Sequence, residues 1–85
     1  MKIIQLVKTP HCAVCARVRK MIDAEVKPLF PDLEVEEFDA ITPQGQEMVL
    51  KYGIMTSPGV IINGELFSMG GADKEALIKK LKELP

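Results

Sequence analysis

Two cysteines, Cys12 and Cys15, are the residues whose type and spacing in this 85-residue chain can do chemistry. At this spacing they could form a structural disulfide, hold a metal or exchange electrons as a dithiol. A structural role is disfavoured because so short a loop removes little entropy from the unfolded chain, and such a bond does not persist in a reducing cytosol. The pair therefore indicates either redox chemistry or metal binding.

The cysteines lie where a strand pattern gives way to a helix pattern. Residues 2–8 are almost continuously apolar, which is typical of a buried central strand covered on both faces, and Pro10 ends it. From Ala13 onward apolar residues recur at helical spacing. They are Val14, Val18, Met21, Ile22 and Val26. Pro28 is expected to end this helix near residues 26–27.

This placement gives the two cysteines unequal roles. Cys12 lies at or beside the N-cap, where unpaired backbone N–H groups and the helix dipole stabilise a thiolate and lower the pKa of the thiol. We therefore expect Cys12 to attack, or be attacked by, outside partners. Cys15, one turn further in, would resolve the mixed disulfide. His11 could hydrogen-bond the thiolate or be simply a polar residue before a helix.

A second strand and a second helix follow a loop at residues 28–32. Leu33 to Phe38 is interpreted as a strand whose acidic content suits a sheet edge, although Glu37 interrupts its alternation. Thr42–Pro43 predicts an N-cap followed by proline at the first helical position, and Gly53 a C-terminal cap. This helix is expected to bury Met48, Val49 and Tyr52.

The last third of the chain predicts a hairpin and a final helix. Asn63–Gly64, flanked by apolar segments at 59–62 and 66–68, is a strong two-residue hairpin signal. Asp73 is expected to cap a helix that buries Leu77, Ile78, Leu81 and Leu84. The order is β-α-β-α-β-β-α, and we expect one α/β domain over residues 1–85.

The net charge and the lengths of the apolar runs limit the classes of partner that we expect. The net charge is −1, which gives no sign of a nucleic-acid or anionic membrane surface. No apolar run approaches the ~18 residues of a membrane span, and the apolar stretch in residues 1–8 is too short for a secretory signal. We expect a cytoplasmic, monomeric protein that has neither nucleic-acid nor membrane partners.

Three segments together resemble the thioredoxin/glutaredoxin superfamily: Thr9–Cys15, Tyr52–Pro58 and Gly59–Leu66. The resemblance covers nearly the whole chain, in order, and is greatest to the small thioredoxin-like, glutaredoxin-like redox proteins of archaea and bacteria. It implies a thioredoxin-like fold with a four-stranded mixed sheet between helices. It also implies a protein-disulfide oxidoreductase whose redox-active disulfide is Cys12–Cys15, with no other cofactor.

The resemblance assigns a substrate-docking wall to Thr56, Ser57 and Pro58, with His11 as a further substrate contact. The family has a cis-proline beside its disulfide, and Pro58 is the matching position. A cis X-Pro bond is an uncommon turn and proline has no N–H, so the backbone of Ser57 would be free to bond an extended substrate segment. An ordinary trans-proline opening an edge strand is the alternative.

The chain also departs from the pattern of the family that it resembles. It has no Trp, its centre reads Cys-Ala-Val-Cys, and Leu6 stands where typical thioredoxins carry a buried acid. Gly70, Gly71 and Asp73 resemble the segment with which glutaredoxins hold glutathione, in a shifted register. The partners that the resemblance implies are protein disulfides and a reductant, either a thioredoxin-reductase-like donor or glutathione.

Metal transport is the alternative function. The loop from His11 to Cys15 resembles that of small copper chaperones, and two thiolates suit Cu(I). Those proteins, however, have a βαββαβ order and end in a strand. Two cysteines and one histidine leave a tetrahedral zinc set incomplete, and an iron–sulfur cluster shared between two copies is a further alternative. We expect no resident metal.

Overall fold

The computed structural model describes residues 1–85 and has four strands and three α-helices in the predicted order. The strands are β1 (Ile3–Lys8), β2 (Glu34–Asp39), β3 (Gly59–Ile62) and β4 (Glu65–Met69). The helices are α1 (Ala13–Met21), α2 (Pro43–Tyr52) and α3 (Lys74–Glu83). The sheet order is β2-β1-β3-β4, with β1 parallel to β2 and antiparallel to β3. The predicted α/β class and mixed sheet are confirmed.

Both faces of the sheet are covered by helices, and each face has its own apolar cluster. Because successive side chains of a strand point to opposite sides, β1 contributes to both clusters. Ile4 and Leu6 of β1 join the larger apolar cluster with α1 and α3, whereas Val7 packs with Ile61 and α2. No polar or charged residue is buried. The apolar run at residues 2–8 therefore predicted its strand correctly. No helix of the fold has the length and apolar character needed to cross a membrane.

The first helix ends differently from the prediction. A π-helical turn, Ile22–Val26, and a 3₁₀ turn, Lys27–Leu29, continue the helical path. Pro28 lies in the first turn of the 3₁₀ segment, where its missing N–H breaks no helical hydrogen bond, so the loop starts only after Leu29. Ile22 and Val26 are fully buried. Packing of these two side chains favours continuation where proline alone suggests a stop.

The predicted caps and the hairpin are present, with one exception. The Thr42 hydroxyl accepts the Gly45 N–H at 3.1 Å, and Gly53 has φ 66° at the C-cap of α2. Asn63 and Gly64 have φ 48° and 84°, as a two-residue hairpin turn requires. Asp73 occupies the N-cap of α3, but its side chain makes no capping hydrogen bond, so that detail was wrong. Strand β2 starts and ends one residue later than predicted, and β4 gains one residue at each end.

Gly45 lies where α2 passes closest to the end of β2. A Cβ atom at this position would overlap the carbonyl oxygen of Asp39 and lie 2.9 Å from the Cα of Ala40. These are backbone atoms, which cannot rotate out of the way as a side chain can. The absence of a side chain at Gly45 therefore sets how tightly α2 packs on the sheet.

We predict that Gly45→Ala destabilises the fold by about 1–3 kcal/mol because the added methyl forces the backbone apart. The sign is diagnostic, since alanine in place of glycine inside a helix normally stabilises by about 1 kcal/mol. Urea unfolding measures the change. Gln44→Ala, at an exposed neighbouring position, is the matched control and should change stability by less than about 0.5 kcal/mol. A Gly45→Ala protein as stable as wild type would contradict close packing here.

Candidate functional site

Cys12 is the N-cap of α1, and its sulfur accepts the backbone N–H of Cys15 at 3.0 Å. The chain reaches this position through His11, whose left-handed φ of 58° turns the backbone out of β1 and into the helix. Histidine is among the residues that occupy this region more readily than most. No acidic residue lies in the first turn of α1, so no carboxylate there opposes the positive end of the helix dipole.

The two cysteines are joined by a disulfide, with their Cα atoms 5.2 Å apart. Cys12 is half-buried, whereas Cys15 is only 6% exposed. An incoming thiolate or disulfide can therefore reach the sulfur of Cys12 more easily than that of Cys15. The two cysteines thus differ in exposure, and their unequal roles stay a prediction.

Sheet pairing brings the Ser57–Pro58 segment to Cys12. β3 runs antiparallel to β1 with Gly59 opposite Val7, so the residues before β3 lie beside those after β1. The Ser57–Pro58 peptide bond is cis, and the Ser57 hydroxyl lies 3.7 Å from the Cys12 sulfur as a donor. Neither the N–H nor the carbonyl of Ser57 forms a backbone hydrogen bond within the chain. The ring of Pro58 is buried.

Two further residues, Thr56 and His11, are expected to contact substrate. Thr56 is exposed next to Ser57. His11 is exposed as well, and the hydrogen bonds to the Cys12 sulfur come from Cys15 and Ser57 instead. The structure thus brings Ser57 directly against Cys12 and keeps His11 at the surface beside it.

The glycine segment assigned to glutathione lies against the docking wall. The Gly70 N–H donates to the carbonyl of Pro58 at 3.0 Å. A Cβ atom on Gly70 would approach the Thr56 hydroxyl to 3.0 Å, so glycine lets the two segments meet closely. Gly71 follows, and the carboxylate of Asp73 stands at the start of α3 without a capping bond.

Three features of the site were not predicted from the sequence. The hydroxyl of Thr9 lies 2.8 Å from that of Ser57. Met55 is 85% exposed beside Thr56, and its N–H donates to the sulfur of Met69 at 3.4 Å. These contacts join residues far apart in the chain, so only the position of Thr9 just before the cysteine motif could have signalled one of them.

The third feature is a set of ion pairs in an open groove of about 1030 Å³ between α1 and the end of β2, which also reaches Cys12 and Cys15. Glu37 accepts from Lys8 at 3.2 Å and from Arg19 at 3.5 Å. Its register opposite Leu6 places it on the α1 face of the edge strand, near the strand end, with 30% of its side chain exposed. Glu37 therefore departs from the apolar pattern because it meets two cations there. Pairs so exposed add little stability.

The arrangement suits reversible thiol–disulfide chemistry. When the disulfide is reduced, a thiolate at Cys12 faces a backbone N–H and a hydroxyl that already point at its sulfur. Hydrogen bonds to a charged acceptor are stronger than those to a neutral one. The site therefore favours the thiolate form of Cys12, while Cys15 waits behind it.

Known proteins share this sequence pattern. A family profile described as a thioredoxin domain matches residues 1–83. A thioredoxin of Methanocaldococcus jannaschii is 32% identical over 81 residues, which are 94% of this chain and 92% of that protein. A probable thioredoxin of Methanothermobacter thermautotrophicus is 25% identical over 80 residues, again 94% of this chain and 92% of that protein.

Solved structures share the fold. A thioredoxin-like protein from Clostridium perfringens superposes with a TM-score of 0.81 at 18% identity, covering 99% of this chain and 71% of that chain. Mitochondrial thioredoxin 3 of Saccharomyces cerevisiae in its oxidised form gives 0.73 at 19% identity, covering 98% and 78%. At such identities the likeness concerns the fold alone.

We predict that, after reduction, iodoacetamide at pH 7 modifies Cys12 at least about tenfold faster than Cys15, because the thiolate is the reactive form and Cys12 is the more exposed of the two. Tandem mass spectrometry assigns the label to each cysteine. Cys15→Ser should keep the fast reaction and Cys12→Ser should lose it. Equal labelling of both cysteines would contradict the asymmetry.

Proposed function

The chain belongs to the thioredoxin family of thiol–disulfide oxidoreductases, and from this premise we propose that it exchanges its Cys12–Cys15 couple with disulfides of other proteins. The observation that carries the proposal is the half-buried Cys12 at a helix N-terminus, next to a Ser57 whose backbone has no partner within the chain. The first feature supplies a reactive sulfur. The second supplies a place for a polypeptide substrate to bind.

The proposed reaction conserves electrons and protons. The Cys12 thiolate attacks one sulfur of a substrate disulfide, which forms a mixed disulfide and releases one substrate thiolate. Cys15 then loses its proton and attacks the Cys12 sulfur, which releases the second substrate thiolate and forms the Cys12–Cys15 disulfide. The substrate disulfide gains two electrons, the dithiol loses two, and its protons end on the substrate thiols.

Substrate docking would use strand addition. An extended segment on either side of the substrate cysteine can pair with the free N–H and carbonyl of Ser57. Thr56 and Met55 are exposed beside that backbone and would contact the side chains of the segment. Backbone pairing is indifferent to sequence, which suits a protein that serves several disulfide substrates. His11 would contact the substrate from the helix side.

The oxidised protein needs a reductant, for which we propose a thioredoxin-reductase-like donor or glutathione. Glutathione would bind beside Gly70, Gly71 and Asp73. This segment lies next to Pro58, because the Gly70 N–H donates to the Pro58 carbonyl. We propose a cytoplasmic monomer that uses its disulfide as the sole redox group. A Cu(I) carrier is not favoured, because the chain has the thioredoxin order of elements, in which a helix separates the second and third strands.

Reduction of insulin disulfides with dithiothreitol as the electron source tests the proposal. We predict that Cys12→Ser lowers the catalysed rate at least about a hundredfold because the attacking thiolate is gone. Cys15→Ser should accumulate a mixed disulfide with the substrate, visible as an added mass that dithiothreitol removes. The proposal fails if Cys12→Ser reduces insulin as fast as wild type.

A redox titration provides the companion measurement. Equilibration with mixtures of reduced and oxidised dithiothreitol should give a single two-electron transition between the dithiol and the Cys12–Cys15 disulfide. Supplying either glutathione or a thioredoxin reductase with NADPH then shows which donor supports turnover. Asp73→Asn is the variant that should weaken turnover with glutathione and leave turnover with the reductase unchanged.

A further inference from the structure

We propose that Thr9 is a positioning residue for Cys12 and that it acts through the hydroxyl of Ser57. The two hydroxyls form a short chain that ends on the Cys12 sulfur and stabilises its thiolate. The inference deepens the proposed function, since it rests on Cys12 being the attacking sulfur.

Two distances define this hydroxyl chain. The oxygen of Ser57 lies 3.7 Å from the Cys12 sulfur as the donor, and it lies 2.8 Å from the oxygen of Thr9. A serine hydroxyl carries a single proton. If Ser57 gives that proton to sulfur, its oxygen must accept from Thr9. Whenever Ser57 donates to the sulfur, both hydrogen bonds run in one direction, from Thr9 to Ser57 to Cys12.

Thr9 suits this role better than a freely rotating hydroxyl would. A β-branched side chain has restricted rotation about its first bond, so the Thr9 hydroxyl is held towards Ser57. Both residues are half-buried, which limits competition from water. When the Ser57 oxygen accepts a hydrogen bond from Thr9, its own O–H is oriented towards the sulfur before a thiolate forms there.

The chain acts on one redox state more than on the other. A sulfur in a disulfide is a weak acceptor, whereas a thiolate carries a full charge and accepts strongly. The Cys12 thiolate attacks the substrate, and it is the leaving group in the last step of reduction of the oxidised protein. In both steps Ser57 donates a hydrogen bond and no proton leaves it, so the electron balance of the reaction is unchanged.

Other charges near Cys12 would act alongside the hydroxyl chain. The groups that line the same groove are Lys8, His11, Arg19, Lys20, Asp23, Glu37 and Asp39. Four of them, Lys8, Arg19, Asp23 and Glu37, are tied to one another in ion pairs. All of these groups are unchanged in a variant that alters only the hydroxyl of Thr9, so their effect cancels in a comparison with wild type.

The test is the pH dependence of iodoacetamide reaction at Cys12 in the reduced protein, resolved by tandem mass spectrometry. Thr9→Val keeps the shape and removes the hydroxyl. We expect its profile to move to higher pH, with the rate near pH 6 lowered about three- to tenfold. The plateau at high pH should be unchanged or slightly raised, because a more basic thiolate is the better nucleophile. Thr9→Ser restores the hydroxyl without the β-branch and should move the profile most of the way back to that of wild type.

A double-variant cycle tests whether Thr9 acts through Ser57. Ser57→Ala should shift the profile at least as far as Thr9→Val, and adding Thr9→Val to it should shift the profile no further. Ser68→Ala is the control for loss of a half-buried hydroxyl bond, here to the carbonyl of Gly71, and should leave the profile in place. If Thr9→Val folds poorly by urea unfolding, Thr9→Ala compared with Thr9→Ser gives the same test.

The inference is overturned if the Thr9→Val profile superimposes on that of wild type, if its shift adds in full to that of Ser57→Ala, or if Thr9→Ser behaves like Thr9→Val. Alkylation requires no protein substrate and no reductase. An inactive wild type in insulin reduction would therefore refute the proposed function while leaving this measurement intact. The reverse holds if insulin reduction proceeds and the profiles do not move.

Discussion

The site depends on the antiparallel pairing of β1 with β3 at the centre of the sheet. Gly59 stands opposite Val7, so the last residue of β1 and the first residue of β3 lie at the same end of the sheet. The chain leaving β1 carries Thr9 to Cys12, and the chain entering β3 carries Ser57 and Pro58. A slip of one residue in this register would turn the side chains of β3 to the opposite face. Since Val60 and Ile62 pack on one face and Ile61 on the other, the core itself opposes that slip.

The start of α1 then makes two chemically identical side chains unequal. Cys12 is at the N-cap, where it accepts a helix N–H and is open to partners, and Cys15 is held one turn inside at 6% exposure. Val18 of α1, with Ile22 and Val26 of the π-helical turn that follows it, packs in the main core and fixes the helix against the sheet. Apolar packing thus sets the orientation of the cysteines, which belong to neither apolar cluster. Their spacing can serve chemistry because other residues supply the stability.

Local signals in the sequence predicted most of the elements, because each rests on neighbours in the chain. Thr42 before proline, glycine at 53 and Asn63–Gly64 specify backbone geometry within a few residues, and all three are found. The continuation of the first helix past Pro28 depends on burial of Val26, which is a tertiary effect. The partners of Glu37 and the contact of Thr9 with Ser57 are also tertiary. Such contacts follow from strand register, which no local pattern encodes.

The absence of buried charge determines how this site can stabilise a thiolate. Leu6 is 2% exposed and apolar, and no charged or polar residue is buried in the fold. The ion pairs of the groove join Lys8 and Arg19 to Glu37 and Asp23, so their charges balance, and because they are partly exposed their field at Cys12 is screened by water. Stabilisation of the negative sulfur then falls to neutral groups fixed by the fold, namely the Cys15 N–H and the Ser57 hydroxyl. Neutral donors have a smaller desolvation cost than a buried ion. A domain of this size, with one small core on each face of its sheet, can therefore carry a reactive thiolate without burying a charge.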